Sequence, residues 1–430
     1  MNKLLLTRQR KVRRVWMRQA LLILSVIGPG LITANVDNDA TGIAGYSLAG
    51  ATYGYGLLWA IVLVTVSLAV VQEMVARMGV VTGKGLADLI RERFGVRITF
   101  WSMLLLLIAN TATAVAEFAG ISGAMSIFGV SPFIAVPLAA VVVWVLVVRG
   151  SYKYVERILL LLCLIYLTYI FSGFIVHPDW GKVLHQTLVP APQFNQAYLL
   201  MLVGVIGTTI APWMQFYQQS AIADKQISIA HLNYERIDTY VGAFLTDFVA
   251  FFIVVCTGAT LFIHHIQIKE AKDAALALVP LVGGNGRLAE ILFAVGLLNA
   301  SLMAASVLPL STAYSIAEAF GWERGVGRTF KEAPQFLTLY TFIIVMGAGI
   351  TLFVPADRLI FVLNLPNVVG GMLLPLVLVL MIILCNDRRL MGRYVNGRIF
   401  NVIAWATTII MTILTAMIMI TTVAPGLFGS

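Results

Sequence analysis

The chain has 430 residues, 60% of them hydrophobic and only 11% charged, with a mean hydropathy of +0.92. Soluble domains carry about 25% charged residues, so this composition excludes a soluble enzyme or regulator. It leaves a polytopic membrane protein with no extramembrane domain of ordinary size, and the net charge of +9 must be explained by where the basic residues stand.

Residues 1–19 are basic and run straight into an apolar stretch too long for a signal-peptide core, so the segment is expected to be retained. Mostly apolar runs of about 17–25 residues mark spans. They fall at 20–48 (interrupted), 54–76, 99–128, 131–149, 157–176, 196–220 (interrupted), 239–264, 287–313, 335–355, 357–384 and 399–424, eleven in all. The predicted fold class is an all-α membrane protein. With the N-terminus in the cytoplasm, 24 of the 29 Lys and Arg residues fall on cytoplasmic segments and 5 outside. This fits the positive-inside rule with an external C-terminus. The basic charge is therefore a topology signal facing anionic lipid, and no nucleic-acid partner is expected.

The first span holds the segment Gly28 to Gly42, GPGLITANVDNDATG. Its two acids, Asp37 and Asp39, are the only charged residues between Leu21 and Gln72. A carboxylate at bilayer depth costs roughly 2.5–3.5 kcal/mol on insertion scales, so one placed there marks a functional site by default. Gly28, Pro29 and Gly30 loosen the helix before the acids, and Asn38, Ala40, Thr41 and Gly42 surround them. Unwound backbone at this depth is tolerated only where it lines a wet cavity or is buried in protein. The segment reads as a membrane-embedded cation site, against the plainer reading of a kinked helix whose acids bond neighbouring hydroxyls or amides.

The sixth span carries a matching anomaly. Val203 to Met214 reads VGVIGTTIAPWM, with Gly204, Gly207, Thr208, Thr209 and Pro212 interrupting it. Pro212 has no N–H, so a carbonyl near 208 loses its helical partner. The first member of each five-span half is thus broken at depth, which points to an inverted-repeat transporter with its site at the midplane. The implied organisation is a cytoplasmic N-terminus (1–19), a first repeat (20–176), an external loop (177–195), a second repeat (196–384) and a last span with the C-terminus (385–430).

Other polar residues at depth leave alternatives open. Glu117 in span 3 either lines a permeation path or binds a neighbouring helix. Asp247 in span 7 reads as structural. Asn299, Ser301, Ser311 and Thr312 read simply as residues that bond across helices. Asn364 and Asn367 flank Pro366, a further local break. Gly79–Arg97 and Gly321–Pro334 read as amphipathic connectors. Cys163, Cys256 and Cys385 have no metal spacing and read as small hydrophobes.

The chain resembles the NRAMP family of divalent-metal transporters over nearly its whole length. The shared residues are the GPG with an acid motif about nine residues on, Ala49 to Trp59 as AGA-x-x-G-x-x-LLW, and the G-x-T-x-x-P break of span 6. Ala116-Glu117 in span 3 and the GLL that opens span 8 extend the match. The resemblance implies a LeuT-type inverted five-helix repeat with broken spans 1 and 6 and an ion between them.

The departures from the family pattern concern the site. Where the family has Asp-Pro-Gly-Asn, this chain has Asp39-Ala40-Thr41-Gly42; where it has Met-Pro-His, this chain has Ala211-Pro212-Trp213. The thioether that favours transition metals and the histidine tied to protons are both absent. Ala114 stands where the family has an acid three residues before Glu117.

This pattern is similar to the NRAMP-related magnesium transporters. It implies Asp39 as the main charged ligand, carbonyls from Val36 and Thr208 or Thr209, the Thr41 hydroxyl, and positions Gly42 and Ala211 shaping the site. Asn367 is a second-shell or water-mediated partner, and Asp37, Asn38, Glu117 and Trp213 line the vestibule or path.

The expected activity is therefore alternating-access import of Mg²⁺, with Mn²⁺ also possible, without proton coupling. The alternative is proton-coupled Mn²⁺/Fe²⁺ uptake as in the main branch. Asp39 argues against a carboxylate-bearing organic substrate, and no Ser/His or zinc pattern supports an intramembrane hydrolase. The divalent ion is substrate rather than cofactor, no resident cofactor or obligate protein partner is implied, and the expected location is the cell (inner) membrane.

Overall fold

Lipid offers no hydrogen bonds, so backbone crossing a bilayer satisfies itself within helices or closed barrels. This chain uses helices. The computed structural model describes residues 33–34, 36–148, 163–326, 328–355 and 358–423, and no strand occurs among them. Residues 28–30 of the first break lie outside the described residues.

The first half contains α1 (Ala40–Tyr53), α2 (Leu58–Thr82), α3 (Leu86–Ile127), α4 (Pro132–Val148), α5 (Leu167–Ile175) and the short α6 (Trp180–Leu188). The second contains α7 (Gln196–Thr209), α8 (Pro212–Asp224), α9 (Leu232–Thr257), α10 (Ala271–Ala275), α11 (Gly286–Phe320), α12 (Pro334–Thr351) and α13 (Leu359–Asn386). The turn α14 (Arg388–Met391) leads to α15 (Arg398–Val423). Eight of the described helical stretches are long and apolar enough to cross a membrane, α7 with α8 counting as one; Pro132–Val148 and Leu164–Ile175 are apolar but shorter. The protein is an all-α, multi-pass membrane protein.

Two groups of helices position the centre. The most extensive pairing joins α3 to α11, with α4 and α12 against them. The second group packs α1 on α9 and α13, α9 on α2, and α7 on α13. Small residues set the closest approaches. A Cβ at Gly120 of α3 would stand 2.5 Å from the Ala40 Cβ and 2.4 Å from the Ser301 Oγ, so α1, α3 and α11 meet there nearly backbone to backbone.

Several helices outrun the apolar runs that announce them. α3 starts at Leu86, not near 99, and kinks at Gly95, whose φ of 79° suits glycine. α9 starts at Leu232 rather than 239. The connector expected over Gly79–Arg97 is therefore mostly helix, with only Gly83–Gly85 between α2 and α3.

The charges in these extensions neutralise one another instead of ending the helix. Buried Glu73 accepts from Arg77 Nε at 3.1 Å and from Arg236 Nε at 2.7 Å. Arg77 also donates to Asn396 Oδ1 at 2.6 Å and to the Tyr394 carbonyl. The break expected at Pro366 is absent: α13 runs through both Pro366 and Pro375. A proline inside a helix removes one N–H and crowds the carbonyl four residues back, which bends a helix without having to end it.

Candidate metal site

Span 1 breaks at its acids. The chain is helical at Val36 and Asp37, turns at Asn38 and Asp39, and resumes as α1 at Ala40. Asp39 is extended (φ −72°, ψ −175°) and caps α1. Its Oδ1 accepts the Gly42 N–H at 2.7 Å and the Thr41 hydroxyl at 2.7 Å.

The Ala40 N–H goes to Glu117 Oε2 at 3.3 Å, and the Glu117 and Asp39 carboxyl groups act on each other electrostatically. The start of α1 thus turns its free N–H groups and its positive dipole end toward two acids. No described Lys or Arg pairs with Asp39, Glu117, Asp37 or Asp247. The Ala40 bond also leaves the Val36 carbonyl without its usual helical donor.

Span 6 breaks opposite. α7 ends at Thr209, Ile210 (φ −116°, ψ 60°) and Ala211 (φ −66°, ψ 134°) are non-helical, and Pro212 opens α8. Pro212 offers no N–H to the Thr208 carbonyl.

The two breaks meet at a small cavity of about 20 Å³, room for about one water molecule. Asp39, Thr41, Thr208, Ala211, Trp213 and Asn367 line it. Asn367 Nδ2 donates to the Thr41 carbonyl at 2.9 Å, which ties α13 to the start of α1. Gly42 lies beneath: a Cβ there would stand 2.7 Å from the Asp37 carbonyl oxygen and 3.4 Å from Thr208 Oγ1. A side chain in place of Gly42 would therefore force the break of span 1 to shift.

Not every residue expected at the site reaches it. Thr209 is buried, and its hydroxyl pairs with Tyr46 Oη at 2.8 Å while bonding the Val205 carbonyl at 2.8 Å. Val36 is buried away from the cavity lining. Asp37 and Asn38 turn instead toward α9: Asn38 Nδ2 donates to Thr246 Oγ1 at 2.8 Å, and the Thr246 hydroxyl donates to Asp37 Oδ2 at 3.3 Å. Glu117 sits behind Asp39, off the lining, and binds the neighbouring helix through Ala40. Ser311 and Thr312 do bond across helices, to the Trp213 carbonyl at 3.1 Å and to Asn110 Nδ2 at 2.8 Å.

Sequence reasoning passed over Asn110 and Thr113, which line the cavity from α3. Their spacing was a usable signal. Asn110, Thr113 and Glu117 stand at i, i+3 and i+7, so they share one face of α3 just after the apolar run Met103–Ala109.

The family model described as "Natural resistance-associated macrophage protein-like" (Nramp) matches residues 30–421. The chain is 27% identical over 405 residues to the divalent metal cation transporter MntH of Verminephrobacter eiseniae, covering 90% of this chain and 87% of that one. Its fold matches the Eremococcus coleocola manganese transporter, solved with an aromatic bis-isothiourea compound, with a TM-score of 0.75 at 21% identity over 94% of this chain and 88% of that one. It also matches Mhp1, a nucleobase-cation-symport-1 family transporter, with a TM-score of 0.53 at 15% identity over 94% of each chain. Carrier folds of this LeuT type share the paired broken helices that frame the cavity here, and the family match spans nine-tenths of the sequence. This chain is a member of the Nramp family.

Proposed function

We propose that the chain carries a divalent metal cation across the membrane by alternating access, binding it at Asp39 between the two helix breaks. The observation that carries this reading is a buried carboxylate with no described basic partner, set where two interrupted helices face each other. An isolated buried charge costs several kcal/mol even after relaxation, and a cation in the adjoining cavity offsets that cost. Spans 1, 2, 6 and 7 rocking against the α3–α11 group would expose the cavity to each side in turn. The membrane potential contributes about 2.3 kcal/mol per charge per 100 mV, so an inward-driven divalent ion gains roughly twice that.

Two finer readings differ in metal and in proton coupling. The relatives favour Mn²⁺, since those named are an MntH divalent metal cation transporter and a manganese transporter, and with Mn²⁺ goes the proton-coupled alternative. The site chemistry favours Mg²⁺ without protons. Its lining offers carboxylate, hydroxyl and amide oxygens with no thioether, and hard cations take oxygen. The cavity volume weighs against an ion that keeps several waters in this conformation, because it admits about one. On balance the manganese reading has the broader support.

Uptake into proteoliposomes across a panel of Mg²⁺, Mn²⁺, Fe²⁺ and Cd²⁺, with a pH-sensitive dye inside, separates them. Metal-dependent acidification of the lumen with Mn²⁺ transport establishes the first reading; Mg²⁺ flux without acidification establishes the second. Transport of none of these ions contradicts the proposal itself.

Ala211→Met tests the role of position 211. Bringing a soft sulfur to the cavity is expected to strengthen Cd²⁺ block of uptake on the order of tenfold. Unchanged Cd²⁺ and Mn²⁺ competition would show that position 211 does not set selectivity.

A further inference from the structure

We propose that Asp37 and Asp247 form a second cation position, next to the Asp39 cavity but separate from it, through which the ion passes between Asp39 and the membrane face on the side of Thr33. This rests on the reading of the chain as a divalent-metal carrier and adds a residue, Asp247, that the Asp39 site does not use.

The geometry is a clasp between the end of the first half of span 1 and the middle of α9. Asn38 Nδ2 donates to the Thr246 carbonyl at 3.3 Å and to its Oγ1 at 2.8 Å, and the Thr246 hydroxyl donates on to Asp37 Oδ2 at 3.3 Å. Asp247 follows Thr246 in the chain, and its charge lies within electrostatic reach of Asp37.

The clasp leaves oxygens over. Asp37 Oδ1, Asn38 Oδ1 and both carboxylate oxygens of Asp247 are buried without a hydrogen-bond partner. Asp37, Asn38 and Asp247 are 2%, 2% and 3% exposed. The Thr65 hydroxyl is Asp247's near neighbour, yet it donates to the Ile61 carbonyl at 2.8 Å.

A structural aspartate would use its oxygens to cap a helix or bond a neighbour, and Asp247 does neither. Two carboxyl groups buried together with four unsatisfied oxygens around them, amide included, offer a cation a ready set of ligands. The donor set is oxygen only, which suits a hard divalent cation that retains some water.

A second small cavity borders Thr246. It measures about 10 Å³ and is lined by Thr33, Gln72, Gln218, Thr239 and Thr246 together with the apolar Leu68 and Met214. Its volume is about that of one water position. Both polar atoms of the Gln72 amide and Oε1 of Gln218 are unpartnered there. None of these residues lines the Asp39 cavity, which lies on the other side of the break. Asp39 also acts electrostatically on Asp37. Ions at both positions would therefore repel, so occupancy is sequential: one ion leaves Asp39 as it gains Asp37 and Asp247.

The test uses Mn²⁺ as probe on the full chain, by calorimetry in detergent and by uptake into proteoliposomes. Asp247→Asn is expected to slow uptake at least about tenfold while leaving equilibrium affinity within about threefold, because Asp39 still binds. Asp39→Asn is expected to retain weak binding that the Asp39→Asn/Asp247→Asn double variant loses. Asp37→Asn supplies the same reading independently should Asp247→Asn fail to fold, and thermal unfolding reports which case holds. Wild-type uptake rates in both Asp247→Asn and Asp37→Asn, or equal binding in the single Asp39 variant and the double variant, would overturn the proposal. Wild-type protein that neither binds nor carries Mn²⁺, Mg²⁺, Fe²⁺ or Cd²⁺ would instead remove the carrier reading on which it rests.

Discussion

Asp39→Ala is expected to bring metal uptake in proteoliposomes down to the level of protein-free vesicles, a fall of more than about 100-fold. Loss of a supporting outer-shell group already costs about 10–100-fold in metal sites, and Asp39 is the only carboxylate among the described residues on the cavity lining. Its loss also removes the cap that receives the Gly42 N–H and the Thr41 hydroxyl. A lost cap costs about 1 kcal/mol, small beside the loss of the charge. Asp39→Asn separates the two effects: it keeps an oxygen for the cap and discards the charge, so it is expected to fold normally and still not transport. Near-normal flux in Asp39→Asn would remove Asp39 as the principal ligand.

The second large effect is expected at Gly207. A Cβ there would lie 2.1 Å from the Asn367 carbonyl oxygen and 2.5 Å from the Gly371 nitrogen. Both are backbone atoms, so no rotamer change relieves the clash, and α7 must move off α13. Overpacking ordinarily costs about 1–3 kcal/mol, and a backbone collision belongs at or above the top of that range. The displacement would reach the site directly, because Asn367 is both the residue struck and the donor to the Thr41 carbonyl. Gly207→Val is therefore expected to lower the melting temperature and abolish uptake together. Gly349→Ala is the control, since a Cβ there meets nothing within 4 Å. If Gly207→Val melted and transported like wild type, the close packing of spans 6 and 10 would not support the site.

What was legible in the sequence follows from which forces act locally. The two interruptions were readable because glycine, proline and a carboxylate inside apolar runs are individually costly there. The structure puts them at Asn38–Asp39 and Ile210–Ala211. Asp39, Thr41, Thr208, Ala211, Trp213 and Asn367 come together around one cavity.

Side-chain direction was not legible. Thr208 and Thr209 are adjacent and chemically identical, yet one lines the cavity and the other is spent on Tyr46 and Val205. Nothing short of the packing of α1 on α7 distinguishes them. Asp37 and Asp39 likewise differ by two residues and turn to different helices, because the helix ends between them.

Helix ends were also hidden. Hydropathy reports the part of a helix in hydrocarbon, whereas α2, α3 and α9 continue beyond it. There, buried pairs such as Glu73 with Arg77 and Arg236 satisfy the charges that look like loop residues in the sequence. Pro366 misleads for a related reason: one missing N–H does not stop a helix held on both sides by neighbours.

The central claim is that the ion sits on the Asp39 carboxylate between the two helix breaks. Anomalous diffraction from crystals soaked in Mn²⁺ measures this directly. The account predicts a single peak inside the cavity at coordination distance from a carboxylate oxygen, within about 2.0–2.6 Å, the range hard cations keep from oxygen. A peak elsewhere with the cavity empty, or an Asp39 side chain packed against protein with no ion at saturating Mn²⁺, would contradict it.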